Sequence, residues 1–173
     1  IPISTYTQPN FIPDDWSLWS EGSISVSRIG DGGNSENSPR EIDSQNIAFG
    51  FDKKINESDL LGFAFQYGLN DTDVGSDGTG IDTESLSLTI YRTKPFNNNN
   101  FIQGLIGFGI IESDSVRKSS GNTLIGSRNG NQLFGSINYG KTYGQGEFNA
   151  TPIVRLDLGY TELDSYTETG TDA

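Results

Sequence analysis

Residues 61–69 read Leu-Gly-Phe-Ala-Phe-Gln-Tyr-Gly-Leu, with every odd position large and apolar and every even one small or polar. A period of two is what a strand needs to put one kind of side chain on each face of a sheet, and no helix tolerates it. The pattern recurs along the chain. Ile47, Phe49 and Phe51 oppose Ala48, Gly50 and Asp52; Leu86, Leu88 and Ile90 oppose Ser85, Ser87 and Thr89. Ile102, Ile106, Phe108 and Ile110 oppose Gln103, Gly107 and Gly109, with Leu105 as an exception. Leu133, Ile137 and Tyr139 oppose Phe134, Ser136, Asn138 and Gly140, and Val154, Leu156, Leu158 and Tyr160 oppose Ile153, Arg155, Asp157 and Gly159. A rougher first strand covers residues 16–28. About seven strands are expected.

The connections sharpen the reading. Residues 29–45, 70–82 and 112–130 read as long polar loops, and residues 53–59, 94–100 and 144–147 as short turns. Alternating long and short connections are the habit of an up-and-down barrel in an outer membrane, with brief periplasmic turns and extended outer loops. A Greek-key sandwich gives no reason for that regularity. The polar face also argues against a soluble sheet. Its mid-strand positions are mostly Gly, Ala, Ser, Asn and Gln rather than the long charged side chains that meet bulk water. The opposite face is bulky and apolar, as contact with outer-membrane lipid requires. The expected fold is therefore all-β, an antiparallel up-and-down transmembrane β-barrel. Seven strands fall below the minimum of about eight for closure, so it is expected to be incomplete, about seven strands of a larger barrel. Residues 1–13, with Pro2, Pro9 and Pro13, read as an extended linker, and residues 14–173 as the partial barrel domain.

Composition removes other classes. Hydrophobic residues make up only 32%, which with a net charge of -12 would suit disorder, but 10 Phe, 7 Tyr and 2 Trp in ordered alternation oppose that. The acidic balance opposes nucleic-acid binding. With no His and no Cys, the usual general base, the thiol nucleophile and thiolate metal sites are missing, and no serine has an evident activating partner. No P-loop or Rossmann glycine pattern is present. No enzyme activity and no cofactor are expected.

Parity assigns the candidate residues. Asp52, Gln66, Ser87, Gln103, Asn138, Arg155 and Asp157 fall on the small-residue face and are the expected pore lining. Trp16, Phe51, Tyr67, Tyr139, Tyr143 and Tyr160 fall on the other face near strand ends, where amphipathic rings suit a membrane interface. Lys53, Arg92 and Lys141 share that parity at the short-turn ends, where their stems can snorkel. Asp71, Asp73, Asp77 and Asp82, spaced by Gly75 and Gly78, form a weak candidate calcium loop; a flexible acidic loop is the plainer account.

Four stretches together resemble the β-domain of autotransporters, the type V secretion family. They are Trp16-Ser17-Leu18-Trp19-Ser20-Glu21-Gly22; Gly50-Phe51-Asp52 followed by Leu60 to Tyr67; Pro152-Ile153-Val154-Arg155-Leu156 with Tyr160; and Tyr166 to Gly170, with Glu168-Thr169-Gly170. The resemblance covers nearly everything after residue 14. It implies a barrel of about 12 strands, a pore-threading segment upstream, and a passenger polypeptide exported to the cell surface without ATP. The family's final strands, its terminal aromatic residue and a pore-plugging helix are not matched. Outer-membrane assembly machinery would be the main partner. Two alternatives stand beside this: a non-secretory porin or adhesin barrel, and a secreted calcium-assisted β-sandwich that acts as a binding module.

Overall fold

The computed structural model describes residues 13, 15–30, 39–96, 99–119, 121–145 and 148–170. The expected linker lies outside these residues apart from Pro13. Six long strands follow one another: β1 (Trp16–Ile29), β2 (Arg40–Lys54), β3 (Leu60–Val74), β4 (Thr79–Phe96), β5 (Asn100–Ser119) and β6 (Asn122–Lys141). Each pairs antiparallel with the next. A short ribbon, β7 (Tyr143–Gln145) with β8 (Phe148–Ala150), then leads to β9 (Ile153–Leu163) and β10 (Thr169–Gly170), both of which pair with β6. The result is an open, single-layer sheet in sequence order, with β1 at one edge and β9 with β10 at the other. It is the meander that the alternation predicts.

The register carries the amphipathicity across the whole sheet. Phe49, Phe65, Leu88, Phe108, Leu133 and Tyr160 form one row over six strands, and Phe51, Phe63, Ile90 and Ile106 another. Because directly paired residues share a face, a one-residue slip anywhere would turn an entire strand inside out. No second layer covers these rows. Phe108 is 52% and Leu88 57% exposed, and among the described residues no apolar side chain is buried. A β-sandwich clasps such residues between two sheets, so the sandwich alternative is wrong for this chain. In water the sheet would carry the full entropy cost of ordering with no apolar core to offset it.

Two of the long connections differ from expectation. The β3–β4 link is only residues 75–78, and β5 and β6 are separated by residues 120–121. Most of residues 70–82 and 112–130 is strand. Those stretches are mostly polar on both faces, with only scattered apolar residues such as Val74 and Val116, so alternation is faint there, yet the hydrogen-bond ladder simply continues from the amphipathic part. Gly75 (φ 73°) and Gly78 (φ 82°) supply the left-handed turn residues that close the first of these hairpins. A transmembrane strand needs about 9–11 tilted residues, so β5, at 20 residues, runs well past a bilayer at its long-loop end.

At the other end the hairpins step. The β2–β3 ladder ends at Lys54–Leu60, whose row reaches Thr93 on β4, whereas the β4–β5 ladder continues to Phe96–Asn100. The ribbon β7–β8 extends the β6–β9 ladder further still, beyond Lys141. Such a stagger is what strands inclined to a barrel axis produce.

Candidate functional site

The two faces of the sheet differ in kind. On the small-residue face, one row across seven strands reads Ser17, Asp52, Gly62, Tyr91, Leu105, Ser136 and Asp157; the row beside it includes Thr93, Gln103, Asn138 and Arg155. Gln66 and Ser87 are paired two rows away. All seven residues expected to line a pore therefore share one face. Arg155 donates from Nε to both carboxylate oxygens of Asp157 at 2.8 Å, an ion pair along one strand rather than a bridge across the face. Leu105, which breaks the alternation, sits on this face between Tyr91 and Ser136.

This face also carries large rings that parity alone did not single out. Trp19 lies over Gly50, Tyr91 over Gly62, Phe134 over Gly107, Phe101 over Gly140 and Tyr166 over Gly126; a Cβ at any of these glycines would come within 3.0 Å of the ring. In each case glycine lets a ring lie flat across the neighbouring strand. The first two joints are linked. Trp19 Nε1 donates to Tyr91 Oη at 2.7 Å and to Asp52 Oδ1 at 3.3 Å, and the Tyr91 hydroxyl donates to the same Asp52 oxygen. Asp52 is 7% exposed. These contacts tie β1 through β4 into one unit. A second set joins the far edge: Arg117 of β5 forks onto Glu168, and Arg128 of β6 lies 5.5 Å from the Tyr166 ring. The signal for the joints at Gly50, Gly62, Gly107 and Gly140 was present in the sequence, as glycines at register positions opposite rings, but it needs the pairing to be read.

On the apolar face, rings and cations gather where the short turns are. Lys53 Nζ is 5.7 Å from the Trp16 ring centroid and 3.3 Å from Asp15. Lys141 Nζ lies 4.8 Å from the Tyr143 ring, and the Phe96 and Tyr139 rings are 6.1 Å apart. Arg92 holds Asp59 of the β2–β3 turn in a two-pronged pair, at 3.1 and 2.9 Å. That pairing holds the buried Asp59 carboxyl below its usual range. Asn56 Oδ1 accepts from the Ser58 and Asp59 amides and shapes the turn. Toward the long-loop end, the Tyr67 hydroxyl donates to Glu84 at 3.0 Å. Tyr160 is in the central apolar row, opposite Leu133.

The four aspartates of the candidate calcium loop are not brought together. Asp71 and Asp82 face each other across β3 and β4, Asp73 pairs with Gly80, and Asp77 in the turn accepts from the Thr79 amide at 3.1 Å. That bond, with Lys118 nearby, lowers the Asp77 pKa. Among the described residues no three acidic groups converge on a point that could hold a metal ion.

A family model described as the autotransporter beta-domain matches residues 18–173. No curated protein matches the chain. Among solved structures, the translocator domain of the autotransporter NalP from Neisseria meningitidis is similar in fold, with a TM-score of 0.73 at 16% identity, over 94% of this chain and 56% of that one. The chain thus spans little more than half the length of that domain.

Proposed function

Since the chain belongs to the autotransporter β-domain family, we propose that its sheet is the wall of a translocator that anchors an N-terminal passenger and passes it to the cell surface. The family is one of transport barrels in the bacterial outer membrane, and that membrane is where this chain resides. One observation supports the reading most: rows of large apolar side chains, one of them six strands wide, lie exposed with nothing packed on them. Hydrocarbon is the solvent such a face suits, and antiparallel ladders satisfy the backbone groups that lipid cannot.

The opposite face then lines the lumen. Asp52, Gln66, Ser87, Gln103, Asn138, Arg155 and Asp157 make it polar. The glycine–ring joints keep it low in relief, so that a polypeptide can slide without a fixed binding site. Its work is passive. No catalytic group takes part, and lipid, the passenger and the outer-membrane assembly machinery are its partners. Strand β1 starts at the short-turn end, with Trp16 opposite Lys53. A segment upstream of β1 that is to reach the outer surface must therefore cross the membrane. A thirteen-residue stretch would reach about 45 Å at full extension, at roughly 3.3–3.6 Å per residue, more than the ~30 Å of hydrocarbon.

The test uses the full-length polypeptide with an epitope upstream of residue 1. In the parent protein the epitope appears on the cell surface. The Gln66→Trp/Ser87→Trp variant crowds the lumen: it still reaches the membrane as a folded barrel but leaves the epitope inside. An epitope that never reaches the surface in the parent, while the barrel assembles, refutes export and favours a stand-alone porin or adhesin.

A further inference from the structure

The apolar face is electrically polarised along the strands, and the two ends ask for different surroundings. At the long-loop end, Asp43, Asp71, Asp82 and Asp114 form a row of four carboxylates over β2 to β5, with Glu84 paired to Glu112 beside it. At the short-turn end, the same face of the described strands carries Lys53, Arg92, Lys94 and Lys141 and no carboxylate. Two of these cations are neutralised by flanking residues, Lys53 by Asp15 and Arg92 by Asp59. Lys94 and Lys141 have no carboxylate within ion-pair distance among the described residues.

These two lysines belong to one corner of the face, on β4 and β6 with β5 between them. In register, Lys94 is in the row of Ile102 and Tyr139, and Lys141 is in the row of Asn100 and Phe96. The Phe96 and Tyr139 rings lie 6.1 Å apart, and Lys141 Nζ leans over Tyr143 at 4.8 Å. Asn100 keeps its side-chain oxygen buried with no hydrogen-bond partner. Oxygen and nitrogen of a side-chain amide are exchangeable by a half turn. The corner therefore offers two ammonium groups, an amide that can donate or accept, and a floor of rings suited to a membrane interface.

We propose that this Lys94–Asn100–Lys141 corner binds the headgroup of an anionic phospholipid in the leaflet that meets the short turns. The phosphate sits between the ammonium groups, the Asn100 amide takes a headgroup hydroxyl or donates to the phosphate, and the acyl chains run along the Ile102 and Ile137 side of the apolar face. The carboxylate row repels the same lipid from the other leaflet, so the preference is one-sided. The inference rests on the barrel reading above.

The full-length protein is reconstituted into phosphatidylcholine vesicles that contain a small fraction of spin-labelled phosphatidylglycerol or spin-labelled phosphatidylcholine, and the motionally restricted fraction of each is measured. A cation near an anionic surface is worth roughly fivefold in local affinity, so the corner is expected to prefer phosphatidylglycerol by about thirtyfold at low salt, less as salt screens it. Lys94→Gln/Lys141→Gln should bring the two lipids close to parity, Lys94→Arg/Lys141→Arg should restore the preference, and Lys118→Gln, at the opposite end, should leave it unchanged. No preference in the parent protein, or one untouched by Lys94→Gln/Lys141→Gln, overturns the proposal. Failure to insert into either vesicle would instead count against the barrel itself.

Discussion

Gly50→Ala is a one-carbon change with a large expected cost. The new Cβ would come within 3.0 Å of Cε2, Cζ2 and Nε1 of Trp19, and that indole is not free to yield. It is held by donation to Tyr91 at 2.7 Å and to Asp52 at 3.3 Å. Overpacking of this kind costs about 1–3 kcal/mol, and releasing two hydrogen bonds about 1 kcal/mol each. Against this, alanine in a strand is better than glycine by about 0.5 kcal/mol. The net loss is about 3 kcal/mol. With a urea dependence of about 2 kcal/mol per molar, the unfolding midpoint of the micelle-refolded protein, followed by circular dichroism, falls by roughly 1.5 M. Gly22→Ala is the control: its nearest neighbour would be the Asn46 carbonyl at 3.8 Å, so its midpoint holds or rises slightly. Trp19→Ala/Gly50→Ala should be no worse than Trp19→Ala alone, a non-additivity of about 3 kcal/mol. An unshifted midpoint for Gly50→Ala, or two effects that simply sum, would refute the ring-on-glycine account.

Further outcomes follow from the other contacts. Asp59 is held below the ordinary carboxylate range by Arg92, so an unfolded chain binds its proton at a higher pH than the folded one. The stability this lends is whole above the ordinary range and is lost as pH falls through the lowered value; Asp59→Asn should flatten that acid limb of an unfolding profile. Leu88→Arg puts a charge in the central apolar row and should cost about 2–4 kcal/mol of stability in vesicles, whereas Ser87→Arg, one residue away on the other face, should fold normally and alter only conductance. Calcium should leave the urea midpoint where it is, because Asp77 already accepts from Thr79 and among the described residues no three acidic groups converge on one point; a rise with millimolar calcium would restore the metal loop.

The fold was largely legible because the chain must satisfy two solvents at once. Phe63, Phe65 and Tyr67 against Gly62, Ala64 and Gln66 state both the strand and its two faces, and register follows once one face is committed to hydrocarbon. Legibility stops where that constraint stops. Beyond the apolar rows, Asn70 to Asp73 and Glu112 to Ser115 are polar on both faces, so they read as loop although they continue the ladder. That Asp52, Gln66, Ser87, Gln103, Asn138, Arg155 and Asp157 share one face was legible because parity is local. The Trp19–Asp52–Tyr91 cluster was not, because its members are 33 and 39 residues apart and meet only through pairing. Asp71, Asp73, Asp77 and Asp82 do not converge for the reverse reason: closeness in sequence suggested a loop, but the ladder spreads Asp71, Asp73 and Asp82 along two strands and leaves Asp77 in the turn.

The chain has no cysteine, so single cysteines at successive positions 63–67 and 86–90 give a clean readout of which side of the wall each residue meets. With spin labels attached in vesicles, positions 63, 65, 67, 86, 88 and 90 should be open to oxygen dissolved in lipid and closed to a water-soluble nickel complex, and the residues between them the reverse. Labels at the bulky positions that are shielded from both reagents, or open chiefly to nickel, would mean that those side chains do not face hydrocarbon.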